Sequence, residues 1–117
     1  SLFAKMRFLI RQQEREDDSL IIGPFSFHPN VKLLIDLETN DRVRLTDKEA
    51  AILKFLYRTQ GKVVSRNVLL GEVWGYNSEV TTHTLETHVY RLRQKIEKIP
   101  SNAKILLTEP GGYRLAP

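Results

Sequence analysis

The segment TTHTLETHVYRLRQKIEK, residues 81 to 98, sets hydroxyl, imidazole, phenol, carboxamide and guanidinium groups around a thin apolar seam. Laid out at about 100° per residue, Leu85, Val89, Leu92 and Ile96 fall within an arc of about 60°. His83, Thr87, Tyr90, Arg91, Gln94 and Lys98 lie opposite, with Thr84, His88 and Arg93 on the flanks. Groups of these types hydrogen-bond base edges and phosphate oxygens. A solvated face would also carry Arg91, Arg93 and Lys98, but it ordinarily mixes signs and is rich in Glu, Lys and Ala. Here the acids are only Glu86 and Glu97. A helix about 10–12 Å across fits the major groove of B-form DNA. His83 and His88 stand five residues apart, about 140° round the helix, so they do not converge on a metal as an i, i+4 pair would.

Other chemistries find little support. The sequence has no phosphate-cradling glycine loop, no metal-ligand spacing and no Ser beside a plausible base. Asp17 and Asp18 could suggest an acidic phosphorylation pocket, but they sit in a polar connector with no strand after them. The chain contains no cysteine, which excludes disulfides and thiolate-held zinc and fits a reducing compartment. Its apolar runs are far shorter than a bilayer span, and Lys5 and Arg7 interrupt the first ten residues, unlike a signal peptide. The expectation is a cytoplasmic protein that is no enzyme, needs no cofactor or metal, and does not engage a membrane.

The elements that would position the polar segment can be read around it. The 117 residues are 41% hydrophobic, enough for one modest core. A net charge of +4 and a pI near 9.5 make a polyanion a plausible partner, provided the charge is concentrated. It is: residues 1–19 hold four Lys/Arg and four Asp/Glu, so all the excess lies in residues 20–117. Leu2, Phe3, Met6, Leu9, Ile10 and Gln13 recur at helical steps, and Glu14 to Asp18 form an acidic connector. Residues 1–19 are therefore expected to be the last helix of a preceding domain plus a linker, and 20–117 the main domain. LIIGPFSFHP, VKLLIDL and RVRLT, punctuated by Gly23-Pro24, Pro29-Asn30 and Asn40-Asp41, predict an antiparallel meander.

Thr46-Asp47-Lys48-Glu49 fits a capping box, and the helix it starts should bury Ile52, Leu53, Phe55, Leu56 and Tyr57 and stop near Gly61. Ser65 should cap a second helix that buries Val68, Leu69, Val73 and Trp74 and ends at Gly75. After the third, polar-faced helix, AKILLTEPGGYRLAP predicts a hairpin over about 104–116, turning at Glu109-Pro110-Gly111-Gly112 as a type II turn. The fold class is α+β: a winged helix-turn-helix with an N-terminal antiparallel meander, three helices and a C-terminal hairpin wing.

RLTDKEAAILKFL, GKVVSRNVLLGEVWG, TLETHVYRLRQKIE and GGYRL, in that order and spacing, resemble the motifs of the DNA-binding output domain of OmpR/PhoB-type response regulators. The resemblance covers residue 20 to the end, and SLFAKMRFLIRQ is similar to the final helix of the receiver domain that precedes it in the family. It implies double-stranded DNA as partner, with the third helix, about 81–98, reading the major groove and the hairpin on the adjacent backbone. Thr87 and Arg91 match base-contacting positions; Tyr90 stands where an arginine is common, and Gln94 joins them on the polar side. Phosphate contacts are implied for Arg66, Trp74, His83, Thr84, His88, Arg93 and Tyr113, with Lys98 and Arg114 as further candidates. Gly75, Tyr76, Asn77, Ser78, Glu79 and Val80 occupy the family's loop for contacting RNA polymerase. Binding as a tandem dimer on DNA is a further implication. The sequence departs from some members at the hairpin tip, Thr108-Glu109-Pro110, which has no cation for a minor groove.

Duller roles stand beside these. Trp74 would serve first as an interhelical anchor, Tyr113 would serve equally as a sheet residue beside the wing, and His28 needs no role in its turn. A winged helix that binds a protein partner would use the same fold without salt-sensitive affinity for duplex DNA. An RNA-binding module would need exposed stacking platforms, for which Tyr90 alone is poor.

Overall fold

The computed structural model describes residues 19–76 and 79–116. The amphipathic and acidic stretch expected over residues 1–18 lies outside them, as do Asn77, Ser78 and Pro117. Alternating side chains and turn residues build the meander first. Strands β1 (Leu20–Ile22), β2 (Phe25–His28), β3 (Leu33–Asp36) and β4 (Arg42–Arg44) pair antiparallel in sequence order. Gly23 turns β1 into β2 at φ 56°, and Asn40 takes φ 64° in the turn before β4. Asp36 accepts the amides of Glu38 at 2.8 Å and Thr39 at 3.2 Å, which tightens that turn. The register sets Phe27 opposite Leu34, and both are fully buried.

Helix α1 (Asp47–Arg58) starts at the capping box. The Glu49 amide donates to Thr46 Oγ1 at 3.2 Å, and the Thr46 amide donates back to Glu49 Oε1 at 2.9 Å. Ile52, Leu53 and Leu56 fill the core. Tyr57, expected inside, is exposed because it lies about 100° round the helix from Leu56, off the inward stripe. The chain leaves α1 through two left-handed residues, Gln60 and Gly61. A two-residue strand, β5 (Val64–Ser65), leads into helix α2 (Arg66–Trp74), whose Val68 amide donates to Ser65 Oγ at 3.1 Å. Leu69 is buried and Val73 and Trp74 are half-buried. Val68, expected in the core, is 41% exposed on the solvent side of the first turn.

Helix α3 (Thr82–Ile96) turns Leu85, Val89, Leu92 and Ile96 inward, none more than 3% exposed. It stops two residues before the expected end, so Lys98 lies beyond it rather than on its polar side. After a 3₁₀ turn (Pro100–Asn102), strands β6 (Leu106–Glu109) and β7 (Gly112–Leu115) form the wing through the two-residue turn Pro110-Gly111, with Gly111 at φ 95°. The hairpin is part of a three-stranded sheet of order β5-β7-β6, and β5 was not foreseen from sequence. That pairing requires a glycine: a Cβ on Gly112 would overlap the Val64 carbonyl.

One ion pair knits three elements together under α3. Glu49, 1% exposed, accepts from Lys95 Nζ at 2.6 Å while still closing its cap, and Lys95 also donates to the Arg44 carbonyl at 3.0 Å. Glu49→Ala removes a cap, worth about 1 kcal/mol, and strands a lysine whose burial is partial. Chemical denaturation should show a loss on the order of 3 kcal/mol, at the low end for breaking a buried pair.

Candidate nucleic-acid interface

With its aliphatic ridge buried, α3 presents the opposite face to solvent. Thr87, Tyr90, Arg91 and Gln94 follow one another at three- and four-residue steps and so share that face. Tyr90 is 64% exposed, and Arg91 and Gln94 are exposed beside it. Among the described residues, none of these three side chains has a hydrogen-bond or ionic partner within the chain. Thr87 is half-buried and donates its hydroxyl to the His83 carbonyl at 3.1 Å, which leaves its methyl group and oxygen lone pairs for other contacts. His83 itself is exposed and Thr84 half-buried at the start of the same helix.

The flanking candidates are more constrained. His88 Nδ1 lies 2.8 Å from the Thr84 carbonyl, an oxygen that can only accept, so Nδ1 carries the hydrogen. Its ring meets Trp74 edge-on, with centroids 5.0 Å apart at 75°. Lys48 reaches over the other end of this pair, 5.6 Å from the Trp74 ring, and donates to the Val73 carbonyl at 3.2 Å. Trp74 thus joins α2 to α3 and α1, as its anchoring role required.

Arg66, the first residue of α2, stacks its guanidinium 5.1 Å from the centre of the Tyr113 ring and stands 3.6 Å from Glu86 on α3. Its Nε is buried without a hydrogen-bond partner. Tyr113 is only 3% exposed, so its bulk is a sheet residue supporting Arg66 from beneath rather than part of the open surface. Arg93 is turned to the wing: Nε donates to the Leu106 carbonyl at 3.0 Å and Nη2 to Thr108 Oγ1 at 2.6 Å. Arg114 is held by Glu109 at 2.6 Å, so the cation nearest the tip is paired with the tip's own acid.

By residue type Glu97 is only one of two acids on the polar helix. It is in fact buried, and three successive amides converge on its carboxylate. Nothing in residue type separates Glu97 from Glu86, or Arg93 from Arg91. Only the bend of the chain after α3 does so.

In the loop between α2 and α3, Gly75, Tyr76 and Glu79 are exposed and Val80 is half-buried. The Tyr76 ring lies over Gly71, where a Cβ would overlap it, and its hydroxyl donates to Glu72 Oε2 at 2.9 Å. That hydrogen bond to a carboxylate holds the Tyr76 phenol above its usual range, because ionisation would break it. Among the described residues no group of His, Asp or Glu could hold a metal ion, and no helix is long and apolar enough to cross a membrane.

Fold and site together define a winged helix-turn-helix DNA-binding domain: a helix-turn-helix core, a reading helix with a polar outer face, and a β-hairpin beside it. Residues 40–115 match the family model described as transcriptional regulatory protein, C terminal. The chain is 35% identical over 118 residues to the sensory transduction protein RegX3 of Mycobacterium tuberculosis, covering 97% of this chain and 52% of that protein. Response regulator DrrB of Thermotoga maritima, an OmpR/PhoB homologue, superposes with a TM-score of 0.68 at 26% identity, covering 100% of this chain and 54% of that one. The DNA-binding domain of response regulator AdeR, solved with an intercistronic region, gives 0.66 at 25% identity, covering 82% and 97%. The chain belongs to the family of OmpR/PhoB-type response-regulator output domains, a family of transcription regulators rather than enzymes. It spans a third to about half of the length of the first curated relatives it matches, 33% of one and 52% of another.

Gly71→Ala should displace the Tyr76 ring and release it from Glu72. Titrating the tyrosine ring signals by NMR should then show the Tyr76 phenol ionising at lower pH than in the parent protein, nearer an ordinary tyrosine.

Proposed function

We propose that this domain binds double-stranded DNA sequence-specifically, with α3 in the major groove and the wing on the adjacent backbone. The observation that carries this reading is the unpartnered outer face of α3: a guanidinium, a carboxamide and a phenol side by side, held outward by a buried ridge. Arg91 supplies the planar donor pair that fits guanine O6 and N7, and the Thr87 methyl suits the methyl group of thymine. Gln94 and Tyr90 flank them as further base-edge contacts. Arg66, partly exposed and braced by Tyr113 at the start of α2, takes a phosphate, and His83 and Thr84 take others at the start of α3. The loop from Gly75 to Val80, led by the preset Tyr76, is the surface for RNA polymerase.

The domain acts as the output half of a longer cytoplasmic response regulator, with residues 1–19 belonging to the end of its receiver domain and the linker. It binds direct repeats as a tandem pair. The match to RegX3 and the superposition on DrrB, each covering about half of a longer regulator, support its place in a longer chain.

Arg91→Ala should weaken specific binding by about 1–3 kcal/mol and relax preference at one base pair. Arg66→Ala should weaken all duplexes alike and flatten the dependence of affinity on salt by about one phosphate contact. Fluorescence titrations against a panel of duplex variants at two salt concentrations check both. Equal losses on specific and nonspecific DNA from both substitutions would overturn the division of roles, and a preference for RNA or single strands would overturn duplex binding itself.

A further inference from the structure

We propose that Arg93 and Glu97 are positioning residues that fix the wing to the reading helix. They stand one helical turn apart at the end of α3 and act on the same stretch of chain. Glu97, 8% exposed, accepts the amides of Lys104 at 2.8 Å on Oε1 and of Ile105 at 2.9 Å and Leu106 at 2.7 Å on Oε2. Successive amides point to opposite sides of a regular strand, so one carboxylate can collect three only where the chain bends. The bend falls at Lys104 and Ile105, immediately before β6.

Strand β6 is an edge of its sheet, with β7 on one side only. A strand residue directs its own N–H and C=O to the same side. The Leu106 amide goes to Glu97 and its carbonyl takes Arg93 Nε, so both backbone groups of that residue are met by α3 instead of a further strand. Arg93 then reaches two residues along β6 to Thr108 Oγ1 at 2.6 Å. An anion faces the edge's donors and a cation faces its acceptors. Buried backbone groups demand such partners, and the charged ones are the stronger. These two bonds commit two of the five Arg93 donors to the wing and fix the plane of the guanidinium.

The consequence for recognition rests on the duplex-binding reading above: the wing's reach along DNA is set by these two side chains. Two measurements test it. In the free full chain, amide hydrogen exchange at Lys104, Ile105 and Leu106 should accelerate about tenfold or more in Glu97→Gln, whose carboxamide cannot serve three donors equally. In binding, two duplexes are compared, one extending under the wing and one ending before it. Glu97→Gln should bind the short duplex as the parent does and lose about tenfold, roughly 1.4 kcal/mol, on the long one. Arg93→Lys keeps the charge but cannot bridge both acceptors, so on the long duplex it should lose as much as Arg93→Ala.

Unchanged exchange at all three amides would overturn the proposal, and so would full rescue of long-duplex affinity by Arg93→Lys, the mark of a phosphate contact. Where Glu97→Gln fails to fold, Glu97→Asp, with the charge kept and the reach shortened, carries the same exchange comparison. Failure of the parent protein to bind either duplex would remove the proposed function, and the exchange data would still decide the positioning role.

Discussion

Everything on the outer surface of α3 depends on the burial of four aliphatic side chains on its inner one. Leu85, Val89, Leu92 and Ile96 form a narrow ridge that enters the core between the two shorter helices and the wing. Each contributes roughly 1.5–3 kcal/mol by leaving water, so their sum exceeds any preference among the weakly interacting polar groups opposite. The rotation of the helix is therefore decided from inside. Arg91, Gln94 and Tyr90 point outward because the ridge leaves them nowhere else to go.

The remaining cations are divided between internal and external work. Lys95 secures Glu49 and β4, Arg93 secures the edge of the wing, and Arg114 is neutralised by Glu109. A net positive charge thus overstates what is free to meet a polyanion. Arg66 stands between the two groups: it is braced by Tyr113, and its buried Nε faces Glu86 at 3.6 Å, too far for a hydrogen bond. The Glu86 pairing is long at 3.6 Å and half-exposed on the glutamate side, so it holds Arg66 loosely.

Features encoded over a few residues were legible before any coordinates. The capping box at Thr46, the Ser65 cap, the Pro110-Gly111 turn and the α3 seam each need only neighbours within a turn or two. Tyr57 and Val68 misled because they adjoin the apolar stripe in sequence yet fall outside it on the wheel. β5 was invisible for a different reason: two residues carry no periodicity, and their partners Gly112 and Tyr113 lie far along the chain. In the candidate site, residue types marked out an outward polar side, from which Lys98 falls away because the helix ends at Ile96, but they could not sort the rest. Whether an arginine is free or engaged, as with Arg91 and Arg93, depends on a wing whose place is fixed only in three dimensions.

The ladder between β5 and β7 has one more effect. Ser65, the residue that opens α2, pairs with Gly112 at the base of the wing, and Tyr113 lies directly beneath Arg66. The start of α2 and the hairpin are thereby parts of one small sheet, with the distance between them set by backbone rather than by side-chain reach. A helix start and a hairpin that share one ladder move as a unit, so any shift of the wing is carried to Arg66 through the backbone of β7.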